Sequence, residues 1–568
     1  MTRTTSGASA SSGFDDLFSR SRTWRGLFFV TIILRTFFSL STSYIHPDEH
    51  FQGPEAMADR VFGWATEKPW EFTAEHPARS YFAVWLVYGL PMSFFRTVFG
   101  SGSSIEPIRV FYMLRIWFAL ATWVLCDQAI DRLCKYKQDR IRSLVFVSTS
   151  YVTWTFQSHT FSNSVETVVL LWCLVIIHEF KHARATTFER CCDAAELGAL
   201  ITFGIFNRVT FPAFLILPSL SLIQQLIRYP MTVVPMVAAA VATAMLAVYV
   251  DTSVYKGVST STDSYVIAPL NNLLYNMDVN NLSVHGLHSR FTHVLINLPQ
   301  LIGPAIIFLA STKYVVSLPF MSALSGLVAL SLVPHQELRF LVPIVPLLSL
   351  CLDTTILSRK RIKIVFGLWF VFNLIMGVLM GTLHQGGVVP AQAYIGKNLI
   401  TSKAGTTVVW WKTYPPPIWL LGQPNGTVET LSVSDFKLDL AGLGSELEQH
   451  QFRTHSNGTI ARPVTVVDLM GSDEAIAAQT LDQVSSHIST TTTRYIPRAY
   501  LVCPYSAFES HQFLSKRESN GRRKRTTSSG YRLTPIWNTN LHLSMESLDF
   551  SDWHTLKPGL GIWEIQPL

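Results

Sequence analysis

Ten apolar stretches, 24–43, 81–99, 109–126, 143–157, 165–180, 231–250, 294–311, 314–333, 340–356 and 362–382, interrupt the chain before residue 383. Each is long enough, or nearly so, to cross about 30 Å of hydrocarbon as a helix. A chain with so many such runs has lipid as its main solvent. Composition agrees, since only 15% of the 568 residues are charged and 48% are hydrophobic, whereas a soluble domain carries about a quarter charged residues. The expected fold class is a polytopic α-helical membrane protein with about ten to twelve membrane segments.

The opening "MTRTTSGASASSGFDDLFSRSRTWRG" has no early apolar core and no small-residue cleavage site, so the first span is expected to stay as an anchor behind a cytosolic tail, 1–23. Basic clusters at Arg20, Arg22 and Arg25, at 132–142, at 181–190 and at 359–363 mark the cytosolic side. The segment "HPDEHFQ" then emerges on the opposite side. The sequons at Asn281, Asn425 and Asn457 fall in polar segments on that same far side, which points to the lumen of the endoplasmic reticulum. Two places strain this alternation. Segments 81–99 and 109–126 would return the chain to the lumen just before a basic run, so one of them is expected to be re-entrant or interfacial, with Pro91 marking 81–99. The stretch 196–228 is interrupted by "FNRVTFP".

The multispan domain is expected over 24–382, with a polar loop, 45–80, on the lumenal side. From 383 to 568 short β-branched and aromatic runs alternate with Gly, Pro and Asn clusters, as in "TVVDLM" and "AYLVCPY", which predicts a small C-terminal lumenal α/β domain. Within it the charged loop 516–530 has nothing to pack and is expected to be disordered, and Asp468 and Asp473 read as solvated surface residues. The net charge of +7 is spread through loops, which argues against a nucleic-acid partner. The seven cysteines have no zinc-site spacing, and no metal is expected.

Polar residues in the membrane half gather in islands, and charge near lipid is costly unless pairing or function offsets it. The first island holds His46, Asp48, Glu49, His50, Gln52 and Glu55; others are "FSNSVET" (161–167), "FNRVTF" (206–211), 271–293, and "PHQELRFLVP" (334–343) with His335, Glu337 and Arg339. Arg208, Arg290 and Arg339 are three cations at predicted span ends. Snorkelling explains any one of them. Together with a projecting carboxylate they suggest an anionic lipid headgroup held by arginines with a base aimed at it. A sugar on a lipid phosphate leaves readily once cations neutralise the phosphate, and a carboxylate that deprotonates the attacking hydroxyl would invert the anomeric carbon in one displacement. No nucleotide-binding glycine motif and no DxD motif is present, which suits a lipid-borne donor.

In this order, "HPDEHFQGPE", "SNSVET", "FNRVTF", "NNLLYNMDVNNLSVHGLHSRFTHVLINLPQLIGP", "HQELRFLVPIVPL" and "LHQGGVVPA" resemble the dolichyl-phosphate-mannose-dependent mannosyltransferases of glycosyltransferase family 22, over residues 25–420. The resemblance implies the C-type multispan glycosyltransferase fold, a lumenal active site, no cofactor, dolichyl-phosphate-mannose as donor and a glycolipid acceptor. His46 and Phe51-Gln52 look most like the members that add a fourth mannose, in α-1,2 linkage, to the glycosylphosphatidylinositol (GPI) anchor precursor. The third-mannose GPI step and a lumenal N-glycan-precursor mannosyltransferase are the alternatives within the family. The resemblance further implies Asp48 as catalytic base, with Glu49 for acceptor positioning or as the alternative base. His335 and Arg339 would approach the donor phosphate, with Arg208 and Arg290 in support. His46, Gln52, His285 and His288 would line the acceptor. Outside this class, a transporter or scaffold would use its charges as a pathway, but there is no internal repeat of the kind transporters show.

Overall fold

The computed structural model describes residues 21–100, 105–180, 186–257, 265–284, 286–400, 405–432, 464–490, 497–510, 530–545, 548 and 551–568. Most of the tail 1–23, His285, Asn457 and all but Gly530 of the loop 516–530 lie outside them.

Among the described residues seven helices are long and apolar enough to span a bilayer: Tyr81–Phe99, Pro107–Leu133, Ser162–Glu179, Phe211–Arg228, Pro230–Lys256, His293–Ala310 and Arg359–Leu383. Two shorter apolar helices, Gly26–Ser39 and Leu318–Ser331, add to them. The polytopic helical class is therefore correct, with fewer full spans than hydropathy counts. Segment 81–99 runs as a continuous helix, with a π-helical turn at Trp85–Gly89 just before Pro91. That turn absorbs the amide hydrogen bond proline cannot make. The interruption expected in 196–228 is present: helix Thr187–Asn207 stops at Arg208 and the chain resumes at Phe211.

Two predicted spans are broken. The run 143–157 forms helices Lys137–Ser148 and Tyr151–Trp154. At the break the Tyr151 N–H donates to Asn373 Oδ1 at 2.7 Å and Trp369 Nε1 donates to Thr149 Oγ1 at 2.9 Å. The Asn373 side chain thus supplies the Tyr151 N–H with a partner that the broken helix does not, as interior backbone requires. The run 340–356 forms a 3₁₀ turn at Leu338–Leu341, a short helix at Ile344–Ser349 and another 3₁₀ turn at Thr354–Ile356. Its side chains are almost all buried, so this run is apolar because it packs against protein.

The chain divides into two compact units: one of residues 1–39, 70–87 and 115–377, the other of residues 40–69, 88–114 and 378–568. The first is helical. In it Phe38 stacks on Trp154 with ring planes 3° apart, and Gly326 packs so tightly that a Cβ would stand 2.2 Å from the Phe214 ring.

The second unit is built on a six-stranded sheet: β1 Thr406–Trp410, β2 Val428–Ser432, β3 Val464–Asp468, β4 Arg498–Pro504, β5 Tyr531–Thr539 and β6 Leu560–Pro567, in the order β2-β3-β1-β4-β6-β5. The strands β2, β3, β1 and β4 are parallel; β6 runs antiparallel to β4 and β5. Strand β1 (TTVVW) is buried on both faces, as parallel strands are. Val409 and Trp411 face a core closed by Ala477, Leu481, Val484 and Ile488 of helix Glu474–Thr490. Val408 and Trp410 face the opposite core, which is closed by Val388, Ala391, Ile395 and, from the segment carrying the acidic motif, Tyr44 and Ala65. The predicted C-terminal α/β domain is thus present, and the acidic segment belongs to its unit.

Candidate active site

Prolines and glycines shape the acidic turn. The Tyr44 N–H donates to the His384 carbonyl at 3.1 Å, and Pro47, with φ −51°, opens the single helical turn Asp48–Phe51; a proline there has a preset φ and no amide to satisfy. At Gly53 a Cβ would stand 2.6 Å from the buried Tyr88 ring, so only glycine passes. Pro54 then starts helix Pro54–Phe62, which Gly63 ends at φ 72°, a left-handed conformation that glycine adopts without penalty.

This turn sends its two acids into different surroundings. The Asp48 side chain keeps 19% of its exposure and His46 keeps 31%, with His46 Nδ1 3.5 Å from Asp48 Oδ1. His46 Nδ1 also accepts the Asp48 backbone N–H at 3.2 Å. Glu49 is fully buried, and its Oε2 accepts the Ile45 N–H at 3.2 Å. His50 is clamped between the edge of Tyr44 and the stacked face of Phe111. Gln52 is buried at the end of the turn. Glu55, fully buried as well, accepts the Glu67 N–H at 2.9 Å and the Trp419 N–H at 3.2 Å. Burial outweighs these donors and holds its carboxyl well above the usual carboxylate range. The motif is therefore mostly scaffold, and Asp48 with His46 is its accessible part. Around it, Tyr44 packs edge-on against Tyr414, whose hydroxyl lies 3.3 Å from His384 Nε2. Neither Tyr414 nor His384 was singled out from the sequence, although His384 opens the "HQGG" of the last quoted motif.

In the helical unit Arg208, Arg339 and His335 meet around Phe340. The guanidinium carbons of Arg208 and Arg339 lie 5.4 Å and 5.3 Å from the centre of that ring, and the His335 ring packs edge-on against it at 5.7 Å. His335 Nε2 lies 2.8 Å from Glu337 Oε1 and its Nδ1 lies 3.1 Å from the Gly286 carbonyl. Glu337 Oε2 accepts from Arg339 Nε. The Glu337 hydrogen bond raises the His335 pKa above its ordinary value. His288 stands with its ring 6.0 Å from His335, fixed by its N–H to Pro334 and by the Gln336 N–H on its Nδ1. Arg290 is exposed further along that segment.

Arg208 also has a carboxylate partner. Its Nε lies 3.2 Å from Glu166 Oε2, its Nη1 donates to Ser162 Oγ at 2.9 Å, and the Thr210 hydroxyl donates to Glu166 at 3.1 Å. Asn207 Nδ2 donates to the Ser162 carbonyl at 3.0 Å. The islands "SNSVET" and "FNRVTF", read separately in the sequence, are one buried lock across the helix break. Opposite charges at two span ends were the only available signal for it.

Asp468 corrects an expectation. It closes β3 at 7% exposure, accepts the Met470 N–H at 2.9 Å, and burial raises its pKa to about 7; Asp473 is exposed. Asn425 sits on an exposed turn, with its N–H bound to the Gly63 carbonyl. Asn281 donates from its amide to the Tyr275 carbonyl at 3.2 Å. Among the described residues no group of three or more His, Cys, Asp or Glu side chains could hold a metal ion.

A helical membrane body with cations gathered at span ends, and an α/β unit that carries one accessible carboxylate on a tight turn, is the frame of a multispan membrane transferase. The chain belongs to the Alg9-like mannosyltransferase family, whose model matches residues 26–421. It is 39% identical to the GPI mannosyltransferase 4 of Yarrowia lipolytica over 94% of this chain and 98% of that one. It is 35% identical to that of Debaryomyces hansenii over 95% and 98%, and 35% identical to that of Saccharomyces cerevisiae over 93% and 96%. Among solved structures it is similar to ArnT from Cupriavidus metallidurans, apo (TM-score 0.48, 12% identity, 86% of this chain and 94% of that one) and bound to undecaprenyl phosphate (TM-score 0.49, 13% identity, 85% and 93%). The family resemblance carried by the ordered motifs is thus correct. The chain is a mannosyltransferase, and the transporter or scaffold alternative falls away.

Proposed function

We propose that the protein transfers mannose from dolichyl-phosphate-mannose, in α-1,2 linkage, to the third mannose of the GPI-anchor precursor, at the lumenal face of the endoplasmic reticulum membrane. The relatives' shared name, GPI mannosyltransferase 4, over nearly the whole of both chains supports this acceptor over the third-mannose and N-glycan alternatives. The observation that carries the mechanism is the unequal exposure of the acidic pair: Asp48 keeps solvent access and Glu49 is spent on the turn.

In this mechanism Asp48 accepts the proton of the attacking acceptor hydroxyl. That oxygen bonds to the anomeric carbon as the carbon–oxygen bond to phosphate breaks, and the electron pair leaves with the phosphate. Arg339 and His335 neutralise the charge that grows there, with Arg208 and Arg290 adding to the positive field. His46, beside Asp48, and His285 and His288 touch the acceptor sugar. No metal or cofactor takes part.

The test is transfer in membranes from dolichyl-phosphate-mannose to a defined three-mannose GPI glycolipid. A four-mannose product that an α-1,2-specific mannosidase trims back is expected. Transfer only to a two-mannose GPI lipid or to a dolichol-linked oligosaccharide would overturn the acceptor assignment.

A further inference from the structure

Glu337 has no part in the chemistry above, yet it touches both groups assigned to the donor phosphate. Its two carboxylate oxygens are divided: Oε1 lies 2.8 Å from His335 Nε2 and Oε2 accepts from Arg339 Nε. His335 and Glu337 precede the 3₁₀ turn Leu338–Leu341, Glu337 with extended backbone, and Arg339 is the second residue of that turn. The start of the turn at Leu338 brings Arg339 back onto the carboxylate that His335 meets from the other side. The packing then closes around them. Phe340 lies under the Arg339 guanidinium and against the His335 ring, and the Gly286 carbonyl meets His335 Nδ1 at 3.1 Å.

We propose that Glu337 is a positioning residue for the donor phosphate: its carboxylate aims the Arg339 guanidinium and keeps His335 in its cationic form. The proposal rests on the phosphate-binding role given above to Arg339 and His335. A guanidinium offers five N–H donors in a fixed plane. Engaging Nε from one side sets the direction of the terminal nitrogens, which a phosphate takes as a bidentate pair. His335 with both ring nitrogens on acceptors, Glu337 and the Gly286 carbonyl, is arranged as an imidazolium, because only the cation donates from both. Among the described residues, the charged and titratable groups facing His335 include Glu337 and Arg339 from its own segment, His288 with its ring 6.0 Å away, and His293. Of these only Glu337 favours the cation.

The test is donor kinetics in membranes carrying full-length Glu337→Gln, Glu337→Asp, His335→Asn and Arg339→Ala, each normalised to protein level, with dolichyl-phosphate-mannose varied at saturating three-mannose GPI lipid. Glu337→Gln keeps the shape and removes the charge. Its donor KM should rise about tenfold, the scale of a lost charge-assisted hydrogen bond, with a smaller change in kcat. Its activity should also fall at lower pH on the alkaline side than wild type, and that shift should be absent when His335→Asn is the background. Glu337→Asp should recover part of the KM. If Arg339→Ala raises the donor KM while Glu337→Gln leaves both KM and the pH profile unchanged, the role of Glu337 is overturned and the phosphate assignment stands. If Arg339→Ala and His335→Asn leave the donor KM unchanged, the phosphate assignment falls, and this role with it.

Discussion

Glu49 Oε2 accepts the backbone N–H of Ile45 at 3.2 Å, so the second acid of the pair closes the approach to the turn that presents the first. That bond separates two carboxylates the sequence leaves interchangeable.

Asp48→Asn should therefore abolish mannose transfer, by about a hundredfold or more, at a normal protein level. Glu49→Gln, which keeps an oxygen for the Ile45 amide, should retain measurable transfer. Glu49→Ala leaves that buried amide unmatched and should lower stability by about 1–3 kcal/mol. Transfer assays paired with immunoblots of the same membranes check this, and full activity in Asp48→Asn would remove Asp48 as base.

The Gly53–Tyr88 contact gives a second test. Gly53→Ala drives a methyl into the Tyr88 ring and should cost about 1–3 kcal/mol by overpacking, seen as a lower melting temperature in detergent. Adding Tyr88→Leu should recover part of the loss, because the two effects share one space. Equal melting of Gly53→Ala and wild type would refute the contact.

Glu166 and Arg208 form a buried pair, and removing one partner strands the other charge, at about 3–5 kcal/mol. Arg208→Met alone should reduce accumulation sharply, while Arg208→Met with Glu166→Leu should restore it. If the restored double variant also regains its wild-type donor KM, Arg208 serves the fold; a raised donor KM at normal accumulation assigns it to the donor.

The pH dependence of the α/β unit follows from its buried histidines. Burial lowers His384 to about 4 and His542 to about 3, against about 6.5 for a free imidazole. Their depressed proton affinity contributes stability above about pH 6.5 that is lost as pH falls towards about 4, since the unfolded chain then binds protons the folded one refuses. Each tenfold change in affinity is worth about 1.4 kcal/mol. Asp468, raised to about 7, runs the other way: its contribution is complete below about pH 4 and is lost as pH rises through about 7. Melting curves between pH 4 and 8 should show an acid-side decline that His542→Asn flattens, and an alkaline-side decline that Asp468→Asn removes.

The legible part of this protein was whatever depends on transfer out of water or on residue order. Apolar length gave the membrane class and most of the spans, and the ordered motifs gave the family. Runs such as "TVVDLM" predicted the strands of the α/β domain, and the structure buries β1 and β3 on both faces. Hydropathy measures departure from water and is blind to what replaces it. It could not distinguish 340–356, which packs against protein, from 362–382, much of which stays exposed on the helix surface. For the same reason Asp468, polar and close to Gly471, reads as surface, whereas the folded chain leaves it 7% exposed at the end of β3. Which of Asp48 and Glu49 stays accessible, and that Glu166 answers Arg208 across 42 positions of chain, depends on partners brought together by packing. A residue's own neighbours in sequence carry no record of those partners, because burial and pairing are properties of contacts between distant segments.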